Sequence, residues 1–445
     1  MSARGTPVEV PFFERELETL SRPALQRLQL DRLQAMLAEV ASSNAFYRRK
    51  WREAGAGDVT TMRTLDELRR IPFTTKRELL QDQLDHPPFG TVLTYPIDRY
   101  SRFHMTSGTT GRPLRWLDTP ESWQWWIRCW TFVYRAAGVG PQDRVFFAFS
   151  FGPFIGFWSA FDAATQLGAL ALPGGGQDSV LRLRTLRENG ATVLVCTPSY
   201  ALRLAQVARE QGLDPADSPI RVTIHAGEPG ASIPGTKRRI EELWGARCFD
   251  HCGITEVGAT GFECAVQPGG VHINESEFIA EVIDPLTGAP APDGQGELVL
   301  TNLGRWGSPV LRYRTGDLVR LTTAPCACGR TFARLDGGIL GRVDDMLIVR
   351  GVNVFPSVIE DIVRRHPVVD EFRIEVFKQD ELDQIRVLLE IDDARHDAGA
   401  RDRTVDAVAE GVRTSFGLRV ETRAVPAGTL PRFELKARRV VRIEN

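Results

Sequence analysis

Between residues 144 and 256 the chain repeats one unit several times: an apolar strand, a turn rich in glycine or proline, then a helix. Arg144-Val-Phe-Phe-Ala-Phe-Ser150 runs into the aromatic turn 151–158 and a helix over Phe157 to Leu167. Ala169 to Leu172 leads to Pro173-Gly-Gly-Gly176 and a helix from about Ser179. Ala191 to Cys196 leads to Pro198 and a helix over Tyr200 to Gln211. Val222 to His225 leads to Ala226-Gly-Glu-Pro-Gly230 and a helix over Gly235 to Leu243. Short, continuously apolar strands separated by helices predict a parallel sheet covered on both faces. Ligands of such sheets bind past the carboxyl ends of the strands, so each of these turns can line a site.

At 445 residues the chain predicts two or more domains. Net charge is −2, so no broad attraction to nucleic acid or anionic lipid is implied. No apolar run approaches the roughly 20 residues of a membrane span. The N-terminus lacks a charged-then-apolar signal segment, and the expectation is a cytoplasmic protein. Seven cysteines in so long a chain do not make a secreted disulfide framework; clustered in a reducing compartment, they suggest metal.

Around the repeat, residues 1 to about 71 read as helical, with Pro23 splitting the amphipathic stretch 12–40 into two helices. Residues 72–103 read as irregular. Trp123, Trp126 and Trp130 share one helical face, and such a stripe reads as core. From 272 to 335 the texture becomes β, with short alternating strands. At Gly341-Arg-Val-Asp-Asp345 the composition turns charged and flexible, which places a domain boundary: residues 1–340, then 341–445. Beyond it come a strand over 346–349, a turn over 350–355, a helix begun by Pro356, and further strands and a helix. These predict a small α+β domain.

Four places carry chemistry. Thr106-Ser-Gly-Thr-Thr-Gly-Arg-Pro113 combines two glycines, four hydroxyls and a cation. Its free N–H groups can form a nest for phosphate, though an exposed polar loop reads the same way and the Walker ending is missing. Gly253-Ile-Thr-Glu256 offers a hydroxyl and a carboxylate, which Mg²⁺ on a polyphosphate uses. Asp317, after Thr315-Gly316, either caps its turn or binds ribose hydroxyls. Cys264, His272, Cys326 and Cys328 form a Cys-x7-His and Cys-x-Cys set. They either close a tetrahedral zinc shell with no open position, hence structural, or are unrelated buried side chains.

Taken together, the set resembles the adenylate-forming acyl ligases. The glycine loop 106–113, Gly253-Ile-Thr-Glu256, Arg314-Thr-Gly-Asp317, Gly341-Arg-Val-Asp344 and Lys436 stand in that family's order. Pro72-Phe-Thr-Thr-Lys76, Ala226-Gly-Glu-Pro229, Cys326-Ala-Cys-Gly-Arg330 and Arg350-Gly-Val-Asn-Val-Phe-Pro356 make it similar to the phenylacetate–CoA ligase type. The resemblance implies an α/β fold. A large N-terminal adenylating domain of several subdomains would hold the parallel sheet and a β-rich part, and a small mobile α+β domain would follow.

It also implies an enzyme: a carboxylate attacks the α-phosphorus of ATP, and a thiol, usually of CoA, takes the acyl group from the adenylate. Lys436, Thr255 and Glu256 would be catalytic, with Glu256 on Mg²⁺ and Thr255 on the α-phosphate. Ser107, Gly108, Thr109, Thr110 and Gly111 would cradle phosphates. Gly227, Glu228, Pro229, Asp250, Asp317 and Arg342 would complete the nucleotide contacts, with Asp317 on ribose. Lys436 would bridge the carboxylate, ribose and α-phosphate, stabilising charge on the pentavalent phosphorus. Asp344 would be the hinge. Phe151, Phe154, Ala226, Gly227 and Gly253 would shape a slot for a small aromatic acid.

The sequence departs from the pattern at Cys252 (usually tyrosine), Leu435 (usually glycine) and Arg112 (commonly lysine). The expected cofactors are ATP, Mg²⁺, CoA and a structural Zn²⁺. The expected partners are the acid and CoA or a carrier-protein phosphopantetheine, with no nucleic acid and no membrane; a homodimer stays an open option. Loading of a carrier protein, AMP transfer to a cofactor hydroxyl, and a non-catalytic nucleotide-binding relative remain alternatives.

Overall fold

The computed structural model describes residues 10–106, 112–350, 352–379, 382–433 and 437–443. The chain divides into two units, Met1–Gly176 with Phe249–Gly338, and Gln177–Cys248 with Ile339–Asn445.

In the first unit, strands Arg144–Phe147 and Leu170–Pro173 pair in parallel, joined by helix Ile155–Gln166. The same unit holds an antiparallel run. Its strand order is Phe278–Ile283, Gln295–Asn302, Tyr313–Thr322, Arg334–Asp336, Gly270–Ile273, Gly258–Glu263 and Arg247–Ile254, the last entering the unit at Phe249. Helix Pro120–Ala136 is capped by Thr119, whose hydroxyl accepts from the Ser122 N–H. It buries Trp123, Trp126 and Trp130, as the stripe predicts, and Trp125 as well. The N-terminal stretch forms Arg15–Glu18 and Arg22–Ser43, broken ahead of Pro23, which sits in the first turn of the second helix.

One expectation fails here. Residues 72–103 are not all irregular, because Lys76–Asp85 is a helix. Its start is written as a capping box: Thr75 accepts from the Glu78 N–H, and Glu78 accepts from the Thr75 N–H.

The second unit has its own parallel pair, Val193–Cys196 with Val222–His225, joined by helix Pro198–Glu210. Helices Ser179–Glu188 and Pro234–Trp244 accompany it. After residue 339 comes a four-stranded sheet in the order Glu421–Val425, Leu382–Ile391, Val369–Gln379, Val440–Arg442. Helices Pro356–Arg364 and Ala398–Phe416 cover it over a core that includes Ile359, Val363, Phe372, Leu389 and Val412.

The expected turn 350–355 is smaller than read. Val352–Val354 is a strand that pairs antiparallel with Leu347–Val349. Arg350 takes a left-handed conformation at φ 49° to close the hairpin. Among the described residues no helix is long and apolar enough to cross a membrane.

Candidate functional site

In the first unit, the strand Arg247–Ile254 delivers Asp250, Cys252 and Gly253 and ends just before Thr255 and Glu256. The Asp250 N–H donates to Glu263 at 2.8 Å, and Asp250 Oδ1 accepts from the His251 N–H at 3.0 Å. His251 packs its ring on Trp130, with centroids 4.2 Å apart, and burial holds its pKa down to about 4. Cys252 stands 3.3 Å from the Thr260 hydroxyl. Burial, with the charges of Asp250 and Asp317 added, pushes its thiol up to about 12. That electrostatic coupling gathers Asp250, Cys252 and Asp317 in one neighbourhood. The thiol there is neutral and cannot supply the ring face a tyrosine would.

Glu256 is buried, and its carboxylate lies 3.4 Å from Lys76 Nζ. Lys76 is the first residue of the helix that sequence reading missed. Asp317 stands in the strand Tyr313–Thr322 after Gly316, which has φ 74°. Thr315 organises this bend: its hydroxyl donates to the Leu298 carbonyl at 2.8 Å and accepts from the Asp317 N–H at 3.0 Å.

The aromatic turn 151–158 divides in two. Phe151 packs against Phe147, Trp158 and Phe161, with ring centroids 4.8–6.4 Å apart. Phe154, half-buried at the start of helix Ile155–Gln166, makes no ring–ring contact among the described residues.

The second unit holds Ala226, Gly227, Glu228 and Pro229 just past the strand Val222–His225. Gly227 turns the chain at φ 95°. Glu228 accepts from the Ser199 N–H at 2.8 Å and from the Ala437 N–H at 2.6 Å, and burial raises its pKa. Arg342 Nη2 lies 3.6 Å from Asp344, whose carboxylate is exposed. Ser107, Gly108, Thr109, Thr110, Gly111 and Lys436 lie outside the described residues.

The four residues of the Cys/His set converge, all within the first unit. Their ligand atoms lie within 4.8 Å of one another, and all four residues are buried. Cys264 and Cys326 sulfurs are 3.7 Å apart, and Cys328 sulfur is 3.6 Å from His272 Nε2. A tetrahedron with Zn–S of about 2.3 Å and Zn–N of about 2.0–2.1 Å has S···S edges of about 3.8 Å and S···N edges of about 3.6 Å. His272 Nδ1 is 3.0 Å from the Phe332 carbonyl, which turns Nε2 towards the thiols.

Sequence reading missed three supporting side chains: Lys76 beside Glu256, and the pair Asp118–Arg305. The Thr75-to-Glu78 capping box could have flagged the first. Nothing local to Leu303-Gly-Arg-Trp306 marks Arg305 as fully buried.

Two family models match the chain: "AMP-binding enzyme" over residues 22–304, and "AMP-binding enzyme C-terminal domain" over residues 351–442. A phenylacetate-coenzyme A ligase of Thermus thermophilus is 35% identical over 449 residues, covering 97% of this chain and 99% of that one. A phenylacetate-coenzyme A ligase of Escherichia coli is 34% identical over 438 residues, covering 96% and 97%. Among solved structures, 2-hydroxyisobutyryl-CoA ligase in the postadenylation state superposes with a TM-score of 0.92 at 30% identity, covering 98% of this chain and 94% of that one. With motifs, fold and relatives in agreement, the chain belongs to the AMP-binding enzyme family, in the phenylacetate–CoA ligase type of the adenylate-forming acyl ligases.

Proposed function

We propose that this enzyme activates a monocarboxylic aromatic acid in two steps. The carboxylate oxygen bonds to the α-phosphorus of ATP and pyrophosphate leaves. The CoA sulfur then bonds to the acyl carbon and AMP leaves. The observation that carries this reading is the 35% identity to a phenylacetate-coenzyme A ligase over 97% of the chain, with Glu256, Asp317 and Lys436 retained at the motif positions.

By motif, Glu256 and Thr255 serve Mg²⁺ and the α-phosphate, and Asp317 holds the ribose. Residues 107–111 cradle phosphate, with Gly227, Glu228, Pro229, Asp250 and Arg342 in the nucleotide set. Lys436 stabilises the transition state, and residues 341–445 act as the mobile domain hinged at Asp344. Magnesium, when bound, neutralises phosphate charge. Lys76 supplies the countercharge that a buried carboxylate such as Glu256 needs.

The Cys264, His272, Cys326 and Cys328 set holds a structural zinc. The donor set fits in chemistry, the Cys264–Cys326 and Cys328–His272 edges match a zinc tetrahedron in length, and four protein ligands leave no position for substrate. A reducing cytoplasm suits this site, because it keeps the thiols from pairing as disulfides before they take the metal.

The deciding experiment measures pyrophosphate release and thioester formation with CoA over aryl, short hydroxy and long-chain acids. Lys436→Ala is expected to slow adenylate formation by about 10²–10³, the loss of one transition-state electrostatic contact. Thioester formation from supplied adenylate should change far less. Equal loss in both half-reactions removes the assigned role.

A further inference from the structure

Strands Arg102–Met105 and Arg115–Asp118 form an antiparallel hairpin, with Arg102 opposite Asp118 and Met105 opposite Arg115. Asp118 ends the returning strand and is fully buried. Its two oxygens accept from Arg305 Nε at 2.7 Å and Nη2 at 2.6 Å, a bidentate fork. The remaining nitrogen, Nη1, donates to two main-chain carbonyls, Thr255 at 2.7 Å and Glu256 at 3.2 Å.

One guanidinium therefore ties the hairpin to the backbone of the Thr255–Glu256 segment. The surroundings exclude water. Arg305 is itself fully buried, and its guanidinium carbon lies 5.1 Å from the Trp116 ring and 5.2 Å from the Trp126 ring. Gly304 lets the chain pass Trp125, since a Cβ there would fall 2.1 Å from the indole. On the far side of Asp118, His104 Nδ1 stands 3.9 Å away, and its ring stacks on Trp123 with centroids 5.3 Å apart.

A buried ion pair gives little net stability compared with apolar residues of the same shape. Stability alone is thus a weak reason to place a charged fork here, whereas orientation is a strong one.

We propose that Arg305, braced by Asp118, is a positioning residue that fixes the end of strand Arg115–Asp118 and the Thr255–Glu256 carbonyls in one register, so that a magnesium-bound triphosphate meets Thr255 and Glu256 in place. This rests on the reading of Thr255 and Glu256 given above.

The test uses the full chain and two variants. In Asp118→Leu/Arg305→Met the charged pair is replaced by apolar side chains, a change of the kind that leaves stability near neutral. Arg305→Lys keeps the charge but loses the planar fork. The half-saturating Mg²⁺ concentration and the KM for MgATP are read by pyrophosphate exchange. Thioester formation from supplied adenylate and the thermal midpoint are read beside them. Both variants should raise the Mg²⁺ and MgATP requirements about tenfold, the scale of one lost charge-assisted hydrogen bond. They should leave thioester formation from adenylate within about twofold, since that step needs no triphosphate.

Wild-type Mg²⁺ and MgATP dependence in a variant that folds, or equal loss in both half-reactions, overturns the proposal. If the double variant fails to fold, Arg305→Lys carries the same decision. Glu256→Gln, run in parallel, separates the two layers: unchanged Mg²⁺ dependence there refutes the reading of Glu256 itself, whatever Arg305 does.

Discussion

The backbone N–H of Ala437 donates to Oε2 of Glu228 across 2.6 Å, while Oε1 of the same carboxylate accepts from Ser199. Ala437 directly follows Lys436. Glu228 thus ties Ala437 to the first turn of helix Pro198–Glu210. Its neighbour in charge is Arg439, which also donates to Glu371 at 2.8 Å. Both Glu228 oxygens accept from protein N–H groups, so the carboxylate also holds together the backbone around the nucleotide set it is assigned to. Glu228→Ala is expected to lower the adenylation rate about tenfold, the scale of one lost hydrogen bond to a charged group. Thioester formation from supplied adenylate should fall less. The same loss in both steps would remove the assignment.

Acid sensitivity follows from three buried histidines. Burial lowers His104, His225 and His251 from 6.5 to about 4. Each is neutral in the fold but binds a proton near 6.5 once unfolded. Their contribution is therefore fully present above pH 6.5 and is lost as pH falls from there towards 4. The scale is roughly 3 kcal/mol per histidine for a shift of this size. Thermal midpoints of the protein should fall steeply between about pH 6.5 and pH 4. In His251→Asn, whose amide can still reach the Gly261 carbonyl, the fall should be shallower by about one proton's share. Identical pH slopes for the two proteins would show that His251 does not carry this linkage.

Much of this was legible from the sequence, and the limits have physical causes. The parallel units around 144–256 could be read because each strand is short, apolar and closed by glycine or proline. The Cys/His set could be read because thiols and imidazole have few other reasons to recur in turn-like sequence. Helix Lys76–Asp85 is hard to read from the sequence because its apolar face is thin; only Thr75 and Glu78 mark its start. The strand Val352–Val354 reads as part of a turn in the sequence because the hairpin closes at Arg350, a residue that seldom takes positive φ. Arg305 and Asp118 stand 187 positions apart in sequence. No local pattern encodes a partner at that distance, so the brace on the Thr255–Glu256 carbonyls appears only once the chain is folded.

The Cys/His set should bind one zinc per chain, detectable by elemental analysis of purified protein. Zinc bound there would tie four segments together through bonds to deprotonated ligands, and its removal would break those bonds as the thiolates take up protons, so metal binding should couple to folding. Cys328→Ser should lower the thermal midpoint by several degrees while the turnover of surviving protein changes little. A metal-free preparation with the same midpoint and full activity would show that the site has no structural role.

Acid selectivity should rest on Phe154 rather than on Phe151. The Phe151 ring is spent on Phe147, Trp158 and Phe161, and a Cβ on Gly175 would stand 3.0 Å from its edge. Its removal opens a cluster and should chiefly cost stability, on the order of 3 kcal/mol for a large aromatic side chain. Phe154 makes no ring–ring contact among the described residues, and the Gly152 side of the turn presents only backbone to it; a Cβ at Gly152 would lie 3.6 Å from the ring. A half-buried ring without aromatic neighbours is available to an incoming one, and an offset or edge-on pair adds about 0.5–1.5 kcal/mol beyond area burial. No lysine or arginine stands in the turn 151–158, so nothing in it favours a second carboxylate. Phe154→Ala should therefore lower kcat/KM for aryl acids by roughly three- to tenfold relative to aliphatic ones, with the thermal midpoint nearly unchanged. Phe151→Ala should show the reverse: a lower midpoint and an unchanged ranking of acids. If Phe154→Ala leaves the ranking as it was, or a short hydroxy acid outranks every aryl acid in the unmodified enzyme, the aromatic assignment fails.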